Sequence, residues 1–189
     1  KGWYPVGGYN AGTSFEGTFD GQNNVITDIY INNNDRADVG LFGVATGTIS
    51  NIGLEDVDIT AINWRVGSLV GYLGSTGVVS NSYTTGNVTA QSYSGGFIGS
   101  YRGTTTNSYT MVNIIGNGGT NIGGFVGAKN DGSIDKCYST GSVSGTSSNL
   151  YGFLAPGGSD STNVTNSYWD TETSGRASRI AGTGKTTAQ

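Results

Sequence analysis

Thirteen acidic side chains, nine basic ones and no histidine set the chemistry open to this 189-residue chain. Without an imidazole, the commonest general base and the commonest transition-metal ligand are both missing. The many Ser–Asp combinations therefore cannot complete a Ser-His-Asp triad. Lys129, Lys136 and Lys185 are the alternative bases, and nothing in the sequence sets one of them beside a nucleophile. A single cysteine, Cys137, excludes an internal disulfide and any multi-cysteine metal site. Glu55, Asp56 and Asp58 sit on one extended segment, where two-residue spacing puts Asp56 and Asp58 on the same face. Paired carboxylates of this kind suit calcium-assisted cleavage of acidic polysaccharides, but no neighbouring segment repeats them, so they read as a solvated face. Asp131, Asp135 and Asp160 offer hard oxygen ligands to a calcium ion, without an EF-hand or nonapeptide pattern behind them. Trp64, Arg65 and Tyr93 stand in variable loops and are the candidate ligand-binding residues, with rings able to stack on sugars. The plainer alternative is that the two rings fold back over the edge of the fold. No catalytic constellation results. The chain is expected not to be an enzyme and to use no cofactor, calcium being the alternative left open.

What must position these side chains is a repeat. Gly40-Leu41-Phe42-Gly43 returns as Ser68-Leu69-Val70-Gly71, Gly96-Phe97-Ile98-Gly99, Gly124-Phe125-Val126-Gly127 and Gly152-Phe153-Leu154-Ala155, each starting 28 residues after the last. A fixed period of this length marks stacked repeats. After each copy comes a second common segment. It aligns Ile49, Val79, Thr105, Ile134 and Val164 in one column, and Asn51, Asn81, Asn107 and Asn166 in another. A third column holds Tyr83, Tyr109, Tyr138 and Tyr168, which Leu54 would open after a one-residue insertion, and a third segment carries Ile59, Val88, Ile114 and Val143.

Three short extended pieces per repeat, in a chain too rich in Gly and Asn for helices, predict an all-β fold. It is a parallel β-helix, or β-solenoid, of about five coils: residues 40–67, 68–95, 96–123, 124–151 and 152–173. Residues 1–38 form an N-terminal cap and first partial coil, with aromatic residues as a lid, and 174–189 a C-terminal strap or flexible tail. Stacked asparagines are expected to form amide ladders. Both inner residues of each Gly-x-x-Gly are apolar, which predicts a bend whose glycines take unusual φ/ψ values. In a straight strand, Phe42, Val70, Ile98, Val126 and Leu154 would instead form an outer apolar stripe.

Charged residues are 12% of the chain and the net charge is −4. There is no basic patch for nucleic acid and no apolar run near the ~18 residues of a membrane span, so neither nucleic-acid binding nor membrane insertion is expected. The abrupt start and end read as those of a segment or mature form of something larger.

The Gly-(Leu/Phe)-aliphatic-Gly stretches, followed by Ser80-Asn81-Ser82-Tyr83-Thr84-Thr85-Gly86-Asn87-Val88, resemble the GLUG-motif repeat family of bacterial surface proteins. Trp3-Tyr4-Pro5-Val6-Gly7 with Phe19-Asp20-Gly21-Gln22-Asn23 is similar to the lead-in of such regions. Asn166-Ser167-Tyr168-Trp169-Asp170 with Thr186-Thr187-Ala188-Gln189 is similar to their close. The departures are Ser68, Ala155-Pro156 and Ile52-Gly53-Leu54. The resemblance implies a part of a large secreted or wall-attached protein, such as adhesins similar to filamentous haemagglutinins or the non-catalytic parts of immunoglobulin-A-cleaving metallopeptidases. It supplies no catalytic residues. The expected function is a structural and adhesive module, extracellular or on the cell surface, acting as a stalk or presenting loops to a host or environmental glycan or protein. Two alternatives stay open: a carbohydrate-binding or polysaccharide-acting β-helix using Trp64, Tyr93 and the acids of 55–58, and a filament subunit joined end to end through open coil edges.

Overall fold

A computed structural model describes residues 2–8, 13–157, 163–177 and 180–189, and in it the chain winds as a parallel β-solenoid of about five turns. Phe42, Val70, Ile98, Val126 and Leu154 are register partners in a five-stranded parallel sheet made of Phe42–Ala45, Val70–Leu73, Ile98–Tyr101, Val126–Lys129 and Leu154–Pro156. Ile49, Val79, Thr105, Ile134 and Val164 are partners in a second, larger sheet. Further along that sheet Ile31, Ile59, Val88, Ile114 and Val143 succeed one another in register. A third sheet pairs Ser94–Gly95, Ile122–Gly123 and Leu150–Tyr151 just ahead of the Gly-x-x-Gly stretches. A coil thus has four extended pieces where the sequence suggested three. The extra one is two residues long, too short for alternation to show.

The corner between the Ile49 and Tyr83 columns explains the asparagines. Asn51, Asn81, Asn107 and Asn166 all have left-handed backbone, with φ between 47° and 55°, and Lys136 takes the same conformation at 55°. Among L residues asparagine tolerates this region best, because its short polar side chain bonds locally. The amide ladder is short: Asn81 donates to Asn51 at 3.2 Å and Asn51 to Asp20 at 2.9 Å. Lys136 interrupts the column, and beyond it Asn166 turns to the Asp135 carboxylate at 2.8 Å. The residue after the corner is a buried hydroxyl. The N–H groups of Ile52, Ser82 and Cys137 donate to the Ser82, Ser108 and Ser167 hydroxyls of the next coil at 3.4, 3.2 and 3.2 Å. Those hydroxyls donate in turn to the carbonyls two residues back, at 2.7–2.8 Å. Cys137 fills a serine slot in this row, its Sγ 3.3 Å from the Asp135 carbonyl, and burial pushes its thiol up to about 12.

Two expectations need correction. Gly53, and not Leu54, pairs with Tyr83, while Leu54 pairs with Thr84 and is buried. The extra residue lies further on, where the register slips between Leu54 and Val57, and the bare Gly53 leaves room for the Tyr83 ring. The Gly-x-x-Gly stretches do bend, and both inner side chains of each are buried in the core. Their glycines, however, do not have left-handed φ. They are required by close approach: a Cβ on Gly40 would stand 2.5 Å from the Gly67 carbonyl oxygen, and one on Gly99 2.5 Å from that of Gly71 and 2.6 Å from the Arg65 carbonyl carbon. The bend is an arch whose hollow side is lined by backbone.

On the core side of the arches, the rings of Phe97, Phe125 and Phe153 stack at 4.9 and 5.0 Å. At one end Phe15 and Phe19 pack on Phe42, with centroids 4.9 and 5.4 Å away. Trp3 and Tyr4 remain exposed, Trp3 donating its indole N–H to the Leu41 carbonyl and Arg36 lying over the Tyr4 ring. Residues 18–32 are already strands of the large sheet, paired in parallel with Thr48–Trp64. At the other end Trp169 is buried on Ser139, and a one-turn helix, Thr171–Ser174, comes next with Asp170 capping it. Thr183–Lys185 then adds a further parallel strand against Tyr168–Asp170.

The glycines of the arch and those elsewhere should respond differently to one methyl group. Gly127→Ala places a Cβ into the backbone of Tyr93 and Ser94, and should lower the unfolding free energy in urea by about 3 kcal/mol. Gly17→Ala meets nothing nearer than 3.6 Å and should change it by less than about 1 kcal/mol.

Candidate functional site

The hollow side of the arches forms a groove of about 530 Å³. One row of its lining consists of Arg65, Tyr93 and Asn121 with Trp64 beside them; the other consists of Ser100, Ala128 and Asn130, and Gly157 closes the set. The first row is a second left-handed corner, with φ of 60° at Asp38, 60° at Arg65, 51° at Tyr93 and 62° at Asn121. Each precedes a residue of a small parallel ladder, Val39 on Val66 and Ser94 on Ile122. The second row leaves the arch, with Tyr72, Ser100 and Ala128 in register. The glycines hold the rows together, because Gly99 abuts Arg65 and Val66, and Gly127 abuts Tyr93 and Ser94. The repeat motif thus builds the groove as well as the core.

The three candidate ligand residues therefore come together. Trp64 is 58% exposed and meets Tyr93 edge to face, with centroids 6.2 Å apart and planes at 74°. Arg65 is anchored from below. Its guanidinium meets the buried Asp38 carboxylate at 2.7 and 2.9 Å and lies over the Tyr72 ring at 5.0 Å. Burial pushes the Asp38 carboxyl up to about 6, against the lowering pull of Arg65. Asn121 donates to the Pro156 carbonyl at 2.8 Å and accepts from Asn149 at 3.3 Å; Asn130 donates to the Ser100 hydroxyl at 3.4 Å. Asp38, Ser100 and Asn130 gave no signal in the sequence. Asn121 did, since Arg65, Tyr93 and Asn121 are themselves 28 residues apart.

The other candidates lie elsewhere. Asp56 and Asp58 face solvent on either side of buried Val57, and Glu55 accepts the Tyr83 hydroxyl at 2.6 Å, which pushes that phenol up to about 12. Asp135 accepts from Thr165 and Asn166, which hold its carboxyl below the usual range, and Asp131 accepts from the Gly132 N–H. Asp160 lies outside the described residues. Among the described residues, no three His, Cys, Asp or Glu side chains gather as a metal-binding set. The outer tyrosines form a ladder, Tyr83 on Tyr109 and Tyr109 on Tyr138, at 5.0 and 4.8 Å with planes within 5°. Their faces are taken up by one another, so this stripe offers ring edges and hydroxyls outward.

Residues 62–89 and 118–144 match the GLUG motif, which is consistent with a GLUG repeat region. Over 96% of its length it is 27% identical to halomucin of Haloquadratum walsbyi, of which it spans about 2%. The crystal structure of a "putative immunoglobulin A1 protease" from Bacteroides ovatus matches 89% of this chain and 68% of its own, with a TM-score of 0.70 at 21% identity. That likeness is one of fold. Among the described residues no helix is long and apolar enough to cross a membrane.

The Asp38–Arg65 pair should appear in the pH dependence of stability. The folded carboxyl holds its proton more tightly than the unfolded one, whose value is 3.8. Its contribution is therefore greatest below pH ~4 and falls as the pH rises to about 6, by at most ~1.4 kcal/mol per pH unit. Subtracting the melting curve of Asp38→Asn, in which asparagine keeps the left-handed backbone, from that of the unaltered protein should reveal this decline.

Proposed function

We propose that the chain is a non-catalytic structural and adhesive module of a larger secreted or cell-surface protein, presenting its groove to a glycan or protein of the surroundings. One observation carries this reading. The residues that recur from coil to coil are engaged in stacking, cornering or filling, whereas the unlike residues Trp64, Arg65 and Tyr93 converge on a single groove. Recurrent loops on one side of a solenoid are where binding is commonly placed. The small share of halomucin that the chain spans supports a module within a longer polypeptide, and the GLUG repeats support an extracellular or surface setting. Low charge also suits a segment whose role is length and stiffness, because uncharged columns stack without repulsion.

The test is binding of the intact chain to a surface panel of glycans and matrix proteins, with Trp64→Ala alongside. Saturable binding that weakens about tenfold or more in the variant, as expected for a central aromatic contact, supports the module as adhesive. Binding to nothing on the panel reduces it to a spacer.

A further inference from the structure

We infer that the groove seats a linear, uncharged polysaccharide lying parallel to the solenoid axis, an inference that rests on the groove being the module's binding site. The direction comes from the lining. Arg65, Tyr93 and Asn121 occupy one position on three successive coils, and Ser100 and Ala128 one position on two. Three coils at the strand spacing span ~10 Å, so the groove presents evenly spaced positions along its length, which suits an extended chain better than a single compact ligand.

The charge is set by the Asp38–Arg65 pair. Arg65 contributes a cation to the lining, and the carboxylate beneath it, itself 1% exposed, compensates that charge within hydrogen-bonding distance. An anionic polymer would therefore meet no net positive charge there, and drawing Arg65 away from Asp38 would leave a buried carboxylate without its partner, which is costly. The remaining polar lining, Asn121, Asn130 and the Ser100 hydroxyl, is neutral; the Asn121 oxygen accepts from Thr120 and Asn149 and one of its amide hydrogens goes to Pro156, which leaves the other to donate to a sugar hydroxyl. Trp64 adds an exposed aromatic surface over which the apolar face of a sugar ring can lie. On the outer tyrosine ladder, Tyr109 is closed on both faces and Tyr83 and Tyr138 on one, at 4.8–5.0 Å.

The experiment is calorimetric titration of the intact chain with cello-, manno- and N-acetylglucosamine oligomers of one to six units, and with oligogalacturonates of the same lengths. At least one neutral series should bind, with affinity rising up to about three units, the run of ~5 Å rings that ~10–15 Å of groove holds, and then levelling. Trp64→Ala and Tyr93→Asn, the second keeping a residue suited to left-handed backbone, should each weaken it about tenfold. Tyr138→Ser on the outer ladder should leave it unchanged. Oligogalacturonates binding as tightly as the neutral series, or single sugars binding as tightly as hexamers, would overturn the inference. So would the absence of neutral binding while the surface panel shows Trp64-dependent capture of a protein or charged polymer, and the adhesive reading would then stand alone. Silence on both panels would overturn both.

Discussion

Neighbouring strands of a sheet cannot stand further apart than ~4.8 Å and remain hydrogen-bonded, and in this molecule that spacing is also the rise from coil to coil. Each position therefore has its own counterpart as its nearest neighbour. Only residues that tolerate their own kind can be repeated. Phenylalanine on phenylalanine and tyrosine on tyrosine meet at ring-stacking distance, and serine on serine forms a donor–acceptor relay. Like charges would repel along such a column, which accounts for a chain with 12% charged residues. At Asp38 and Arg65, on adjacent coils, the charges are of opposite sign and close into an ion pair.

The interior is too narrow to be filled by large apolar groups alone. The Ser68 and Thr84 hydroxyls meet at 2.8 Å and those of Thr84 and Thr110 at 2.9 Å, buried polar groups in a column that has Leu54 at one end and Trp169 at the other. Buried hydroxyls are costly unless bonded, and here Ser68 reaches the Gly96 carbonyl and Thr84 meets Thr110, each one coil on, so polar content and register depend on each other. The same reasoning explains Cys137, a residue of serine's size bonded through sulfur in serine's place.

Much of this is legible in the sequence, for a physical reason. A stack converts a linear period into a spatial column, so alignment alone reveals the aliphatic, asparagine and tyrosine columns. Whatever does not repeat at a fixed interval escapes. The Ile49 column advances by 30, 26, 29 and 30 residues while the arch keeps 28, and the slip near Glu55 displaces Leu54 by one place. For the arch glycines the sequence suggests left-handed backbone where the structure has crowding, because both make the same demand on residue type. Trp64, Arg65 and Tyr93 are visible through their variable loops. The opposite row at Ser100, Ala128 and Asn130 is hidden, since a serine, an alanine and an asparagine in a chain full of small and polar residues carry no distinguishing pattern.

The corner of the groove has a consequence for how such a molecule changes over generations. Asp38, Arg65, Tyr93 and Asn121 are an acid, a base, an aromatic and an amide in one backbone conformation. The paired strands and hydroxyls behind the corner hold that conformation, and the side chain itself does not. Left-handed backbone disfavours most residues by ~1–2 kcal/mol, a penalty that the stack already offsets at every coil. Side-chain identity at Tyr93 is therefore coupled to folding only weakly, whereas Asp38 and Arg65 are tied to each other. Mutation can rewrite such an unpaired position while the scaffold stays constant, so that recognition can drift faster than the frame.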